Sequence, residues 1–175
     1  MRCSVSHITS FLLIILSGML GSSCFSLKYD TKGGGQIPGK TFSVQFVENQ
    51  ARLVEPGLSQ DVTNSLKDYL RNNTNLIMVN NTGDNDFEAV ITGYEPSTPS
   101  TVVAGDQAAQ NKFTITIKVR YTCNVNPDLD FEASFSRYKL YNVSGSGFES
   151  VKSELTKEIM DELLDDIYKR AFVNW

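Results

Sequence analysis

The chain is nearly devoid of histidine: of its 175 residues only His7 carries an imidazole. It lies ahead of an apolar stretch that reads as a removable leader. A chain without any other histidine cannot build a Ser-His-Asp or Cys-His site, nor a His-ligated metal centre. Cysteine is scarce too, with only Cys3, Cys24 and Cys123. No long hydrophobic run is present either. "ITSFLLIILSGML", residues 8–20, falls short of the roughly 20 residues that a helix needs to cross a bilayer. There is no basic excess: 16 Lys and Arg stand against 20 Asp and Glu, a net charge of −4. Counterion release on nucleic acid therefore has no global driving charge, and an anionic partner would require a local basic patch. A composition that is 41% hydrophobic and 21% charged fits one folded domain rather than a disordered chain.

What is present begins with a leader. "MRCSVSH" holds Arg2 and no acid, the short apolar run follows, and "GSSC" brings small residues up to Cys24. That order predicts a lipoprotein-type signal peptide over 1–23, with lipid attached to Cys24. Gly21 stands where leucine is usual, with Leu20 one place earlier; the alternative is an ordinary signal peptide with Cys24 a plain thiol. Cleavage removes Arg2 and no acid, so the charge moves from −4 to −5. With Cys3 gone and Cys24 in a thioether, Cys123 alone cannot form an intrachain disulfide. Residues 24–40 are predicted to be a glycine-rich lipidated tether. Extended, its sixteen residues beyond the cysteine reach ~50 Å at ~3.3 Å each. Residues 41–175 are predicted to form a single domain.

From Gly34 the tether reads G-x-x-x-x-G-K-T, the written form of a phosphate-binding loop. Such a loop works because a helix begins at the Lys-Thr and turns its free N–H groups on the phosphates. Here "TFSVQFV" follows, rich in β-branched and aromatic residues at period two. The expectation is a linker turning at Pro38-Gly39 into a first strand, with no nucleotide and no cofactor.

That strand, 41–47, would bury Phe42, Val44 and Phe46. "LSQDVTNSLKDYLRNN" reads as a helix capped by Ser59, with Asp61 in its first turn and Val62, Leu66, Tyr69 and Leu70 on one face. "NLIMVNN" is a short strand, and "FEAVITGYE" (87–95) a longer one. A long loop through 96–110 leads to "NKFTITIKVRYTC" (111–123). There Phe113, Ile115, Ile117, Val119, Tyr121 and Cys123 oppose Thr114, Thr116, Lys118, Arg120 and Thr122. "LDFEASFSRYKLY" returns as a hairpin partner with Leu129, Phe131, Ala133 and Phe135 inward. "FESVKSELTKEIMDELLDDIYKRAF" is a long amphipathic helix with Val151, Leu155, Ile159, Leu163 and Ile167 on its apolar stripe. The order β-α-β-β-β-β-α predicts an α+β fold. It would be a two-layer sandwich of a mostly antiparallel four- to five-stranded sheet, with two helices packed on one face and the other face wet.

Few residues carry chemistry. Cys123 reads as a small buried hydrophobe. The acidic "DELLDD" (161–166) reads as the solvated back of the last helix and lacks the glycine turn of a calcium loop. Lys118 and Arg120, side by side on the wet face with Arg137 and Lys139 on the next strand, have two readings. One is a solvated sheet surface; the other is a basic strip for phosphate groups on an otherwise acidic protein.

Taken in order, "KTFSVQF", "EPGLSQDVTNSLKDYL", "GDNDFEAVITGYEPS" and "NKFTITIKVRYTC…DLDFEASFSRY", ending in a long acidic helix and Asn-Trp, resemble the short LptE-like lipoproteins of lipopolysaccharide assembly. The likeness covers residues 24 to 175. It implies a lipid-anchored, non-enzymatic outer-membrane protein, with two helices against a four-stranded sheet. It also implies a partner, an LptD-type β-barrel that the domain plugs, and lipopolysaccharide as the transported ligand. The family's lipid-bearing cysteine maps onto Cys24, and Phe25 in place of Asp agrees with sorting to the outer membrane. The basic strand residues proposed to touch lipopolysaccharide match Lys118 and Arg120 best. A periplasmic lipoprotein adaptor for another envelope machine, such as a cell-wall synthase or secretion channel, is the alternative.

Overall fold

The structure, a computed structural model, describes residues 37–97, 111–142 and 147–173. The predicted signal peptide (1–23), Cys24, most of the predicted tether and most of the predicted loop 96–110 lie outside the described residues. Among the described residues there are six strands: β1 (Thr41–Val44), β2 (Glu48–Asn49), β3 (Ile77–Met78), β4 (Asn85–Ser97), β5 (Asn111–Cys123) and β6 (Phe131–Tyr141). They form one sheet of order β3-β1-β4-β5-β6, with β2 also pairing β4. β4, β5 and β6 are antiparallel neighbours along most of their length. β1, by contrast, runs parallel to both β3 and β4, and β2 runs parallel to β4. Among the described residues, two α-helices accompany the sheet, α1 (Leu58–Asn73) and α2 (Lys152–Phe172).

β5 lies between the two long strands and explains its own pattern. Phe113, Ile115, Ile117, Val119 and Cys123 are each fully buried, and Tyr121 is 1% exposed. They meet Leu66 and Leu70 of α1 and Ile159, Leu163, Ile167 and Phe172 of α2 in one core. Each such side chain contributes about 1.5–3 kcal/mol by leaving water. The even-numbered residues of β5 face the other way, where neither α1 nor α2 covers the sheet. The fold class therefore agrees with the sequence; "NLIMVNN" supplies the short β3, and one very short strand, β2, is added.

Local details differ. β1 ends at Val44, so Phe46 is not inward but 60% exposed, and Val47 takes the buried place. The Val47 amide donates to Thr63 Oγ1 at 3.0 Å, and that hydroxyl donates to the Ser59 carbonyl at 2.6 Å. This bond to α1 pulls the chain out of strand geometry. α1 starts at Leu58, with Gly57 rather than Ser59 at its N-cap. α2 begins after a 3-10 turn at Phe148–Ser150, so the last helix is shorter than the stripe suggested. A register shift between Ile91 and Gly93 turns Tyr94 inward.

The glycine-rich approach to β1 also has a definite form. Gly39 has φ +80°, and Thr41 opens a strand, not the helix that a phosphate loop requires. Asp84 Oδ2 accepts from the Lys40 and Thr41 amides at 2.8 and 3.1 Å. Those hydrogen bonds hold its carboxyl below the usual range, the Lys40 amide contributing most.

Candidate interaction surface on the open face of the sheet

The uncovered face is built by the antiparallel register. Arg120 stands opposite Glu88 on one side and Glu132 on the other, and Lys118 opposite Val90 and Ser134. Lys118 Nζ reaches Glu132 Oε1 at 2.5 Å. Arg120 donates to Glu132 Oε2 through Nε at 3.1 Å and Nη2 at 3.0 Å, and to Glu88 Oε2 through Nη1 at 3.3 Å. The four side chains form a cross-strand ladder of alternating sign. Hydrogen bonds from Lys118, then from Arg120, hold the Glu132 carboxyl below its ordinary range. Glu132 in turn raises the Arg120 guanidinium. Hydroxyls carry the surface along the strands, with Thr116 Oγ1 and Ser136 Oγ 2.9 Å apart. At its far end the Lys112 ammonium sits 4.9 Å from the centre of the Tyr138 ring.

The structure brings Lys118 and Arg120 together but not with Arg137 and Lys139. Those two project from the opposite side of β6, in register with Ile115 and Phe113. Arg137 holds Asp166 through Nε at 2.6 Å and Nη2 at 2.8 Å. Lys139 pairs with Glu162 at 2.8 Å and Glu158 at 3.3 Å. Part of the acidic row on α2 is thus not a solvated back but a seam to the sheet edge. Charges turned inward at an edge strand also discourage further pairing.

A second concavity, about 460 Å³, lies between the N-terminal halves of α1 and α2, with Leu58, Tyr94, Met160 and Lys152 among its lining. Lys152 bridges Glu149 and Glu55 at 2.7 and 3.1 Å. Burial raises the Tyr94 phenol. Periodicity gave no hint of this groove, because it depends on how the two helices sit side by side.

Among solved structures, the protein CT253 from Chlamydia trachomatis superposes with a TM-score of 0.54 at 7% identity, covering 76% of this chain and 98% of its own. A point variant of the PelC dodecamer from Paraburkholderia phytofirmans gives 0.51 at 12%, covering 79% and 93%. A minor lipoprotein from Acinetobacter baumannii gives 0.50 at 16%, covering 75% and 91%. At such identities these establish a shared fold. No curated protein matches the chain in sequence. The family model described as "LptE: Lipopolysaccharide-assembly" matches residues 39–171. That span runs from the turn before β1 to the last turn of α2, so it takes in every strand and both helices. The chain belongs to the LptE family of lipopolysaccharide-assembly proteins.

Proposed function

We propose that this protein is a lipid-anchored component of the outer membrane that plugs and assists assembly of an LptD-type β-barrel, and that it helps transport and insert lipopolysaccharide. The family match over residues 39–171 carries the reading. In it, Cys24 bears the lipid, residues 24–40 tether the domain, and the domain works on the periplasmic side or within the barrel lumen. The role is binding rather than catalysis.

The open face suits a wet, charged neighbour, because its hydroxyls and ion pairs need no dry covering. Lys118 and Arg120 are the proposed lipopolysaccharide contacts. A lipid phosphate would compete with Glu132 for the same guanidinium, and Arg binds phosphate in two-pronged fashion. The second reading is a periplasmic lipoprotein adaptor for another envelope machine; the PelC dodecamer shares the fold, so the fold is compatible with a larger assembly. Depleting the protein separates the two. Loss of surface lipopolysaccharide supports the barrel role, and unchanged surface lipopolysaccharide supports the adaptor.

A further inference from the structure

β3 and β4 pair on opposite edges of β1, so the chain between them must cross β1. It does so tightly. The Gly83 amide donates to Ser43 Oγ at 2.8 Å, and a Cβ on Gly83 would lie 2.9 Å from the Phe42 carbonyl carbon. Beneath the crossing stands Asp86, only 6% exposed. Ser43 Oγ hydrogen-bonds Asp86 Oδ1, and Gln45 Nε2 donates to Oδ2 at 3.1 Å. Both partners are neutral, and Asp86 has no cation partner among the described residues. A buried carboxylate without countercharge is costly.

This carboxylate lines a cavity of about 360 Å³, together with Ser43, Gln45, Phe46, Asn80 and Asn81. Phe46 is the large aromatic that the early end of β1 leaves exposed. A buried acid without a cation partner and an exposed ring therefore meet in one pocket. We propose that this pocket receives the guanidinium of an arginine on a protein partner. Asp86 supplies the charge, Phe46 a ring to stack on, and Asn80 and Asn81 side-chain oxygens for the remaining N–H groups. A planar cation that is weakly hydrated and rich in donors fits this set. A hard metal ion fits poorly: calcium takes six to eight oxygens and usually several carboxylates, whereas this site has one carboxylate, already hydrogen-bonded on both oxygens. The site stands independently of the barrel assignment.

The test titrates the isotope-labelled full-length protein in detergent with N-acetyl-arginine amide, following backbone amide resonances. Saturable shifts at Ser43, Phe46, Asn81 and Asp86, absent with the uncharged N-acetyl-citrulline amide, are expected. Asp86→Asn should weaken binding at least about tenfold, as loss of a charge-assisted contact does, and Phe46→Ala about two- to fivefold. Phe46 is exposed, so its removal leaves the fold intact. Equal shifts with citrulline, no shifts at these residues, or tighter binding of calcium chloride than of the arginine probe would overturn the proposal. So would an unchanged arginine affinity in Asp86→Asn.

Discussion

Replacing Tyr121 by Phe isolates one buried hydrogen bond without opening a cavity. The Tyr121 hydroxyl donates to Asn85 Oδ1 at 2.6 Å, and Asn85 is fully buried. Asn85 Nδ2 donates in turn to the Pro38 and Thr41 carbonyls at 2.8 and 3.1 Å. Asn85 therefore fastens the approach to β1 onto β4, and Tyr121 supplies its last partner. The Tyr121 ring packs among Phe87, Phe131 and Phe172, with centroids 5.0, 5.3 and 5.9 Å away. Phenylalanine keeps those contacts, so the cost comes from leaving Asn85 Oδ1 unsatisfied, about 1–3 kcal/mol. For a chain of this size that corresponds to a fall in Tm of about 2–10 °C. Thermal unfolding followed by circular dichroism measures it. Tyr138→Phe, at a ring 55% exposed, is the control and should change stability by less than about 0.5 kcal/mol. In an Asn85→Ala background the Tyr121 substitution should cost little, since the acceptor is gone. A Tyr121→Phe variant as stable as the Tyr138→Phe control, or equal costs in both backgrounds, would refute the reasoning.

Three further outcomes follow from the geometry. Gly83→Ala drives a Cβ into the Phe42 backbone and should cost about 1–3 kcal/mol by urea denaturation; a neutral result would mean that the crossing over β1 is looser than described. Tyr69 is pushed up to about 12, by burial and then by Asp165, and burial also raises Tyr94, Tyr121 and Tyr141. These phenols stay protonated in the fold after the unfolded chain begins to lose its protons. Stability should hold below pH ~10 and fall as pH rises above it; a flat urea midpoint from about pH 9 to about pH 11 would contradict the assignment. Lys118→Glu with Arg120→Glu should weaken binding of purified lipopolysaccharide while leaving the circular dichroism spectrum unchanged, and undiminished binding would remove both residues from the contact surface.

β5 was legible from sequence because it is central, antiparallel, buried on one side and wet on the other, so every second residue reports its face. α1 was legible for a similar reason, apart from its first turn, where backbone geometry at Gly57 outranked the capping preference of Ser59. Phe46 departs from the alternation of β1 because Thr63 captures the Val47 amide, an interaction formed only once α1 is in place. Nothing in the alternation of β1 tells whether its neighbours run parallel or antiparallel. The inward turn of Arg137 and Lys139 did have a sequence signal. Glu158, Glu162 and Asp166 recur every four residues on α2, a row that can meet cations at the same strand end. Asp86 carried no such signal, because its burial depends on the crossing of β1 by residues from beyond β3.

The central claim is that this family member works with an outer-membrane barrel that delivers lipopolysaccharide. Affinity purification of the tagged protein from detergent-solubilised outer membranes, with its main partner identified by mass spectrometry, tests that claim most directly. The account predicts recovery of an LptD-type barrel in defined ratio to the bait. Purification of the protein with no such barrel, from membranes in which the barrel is present, would contradict it.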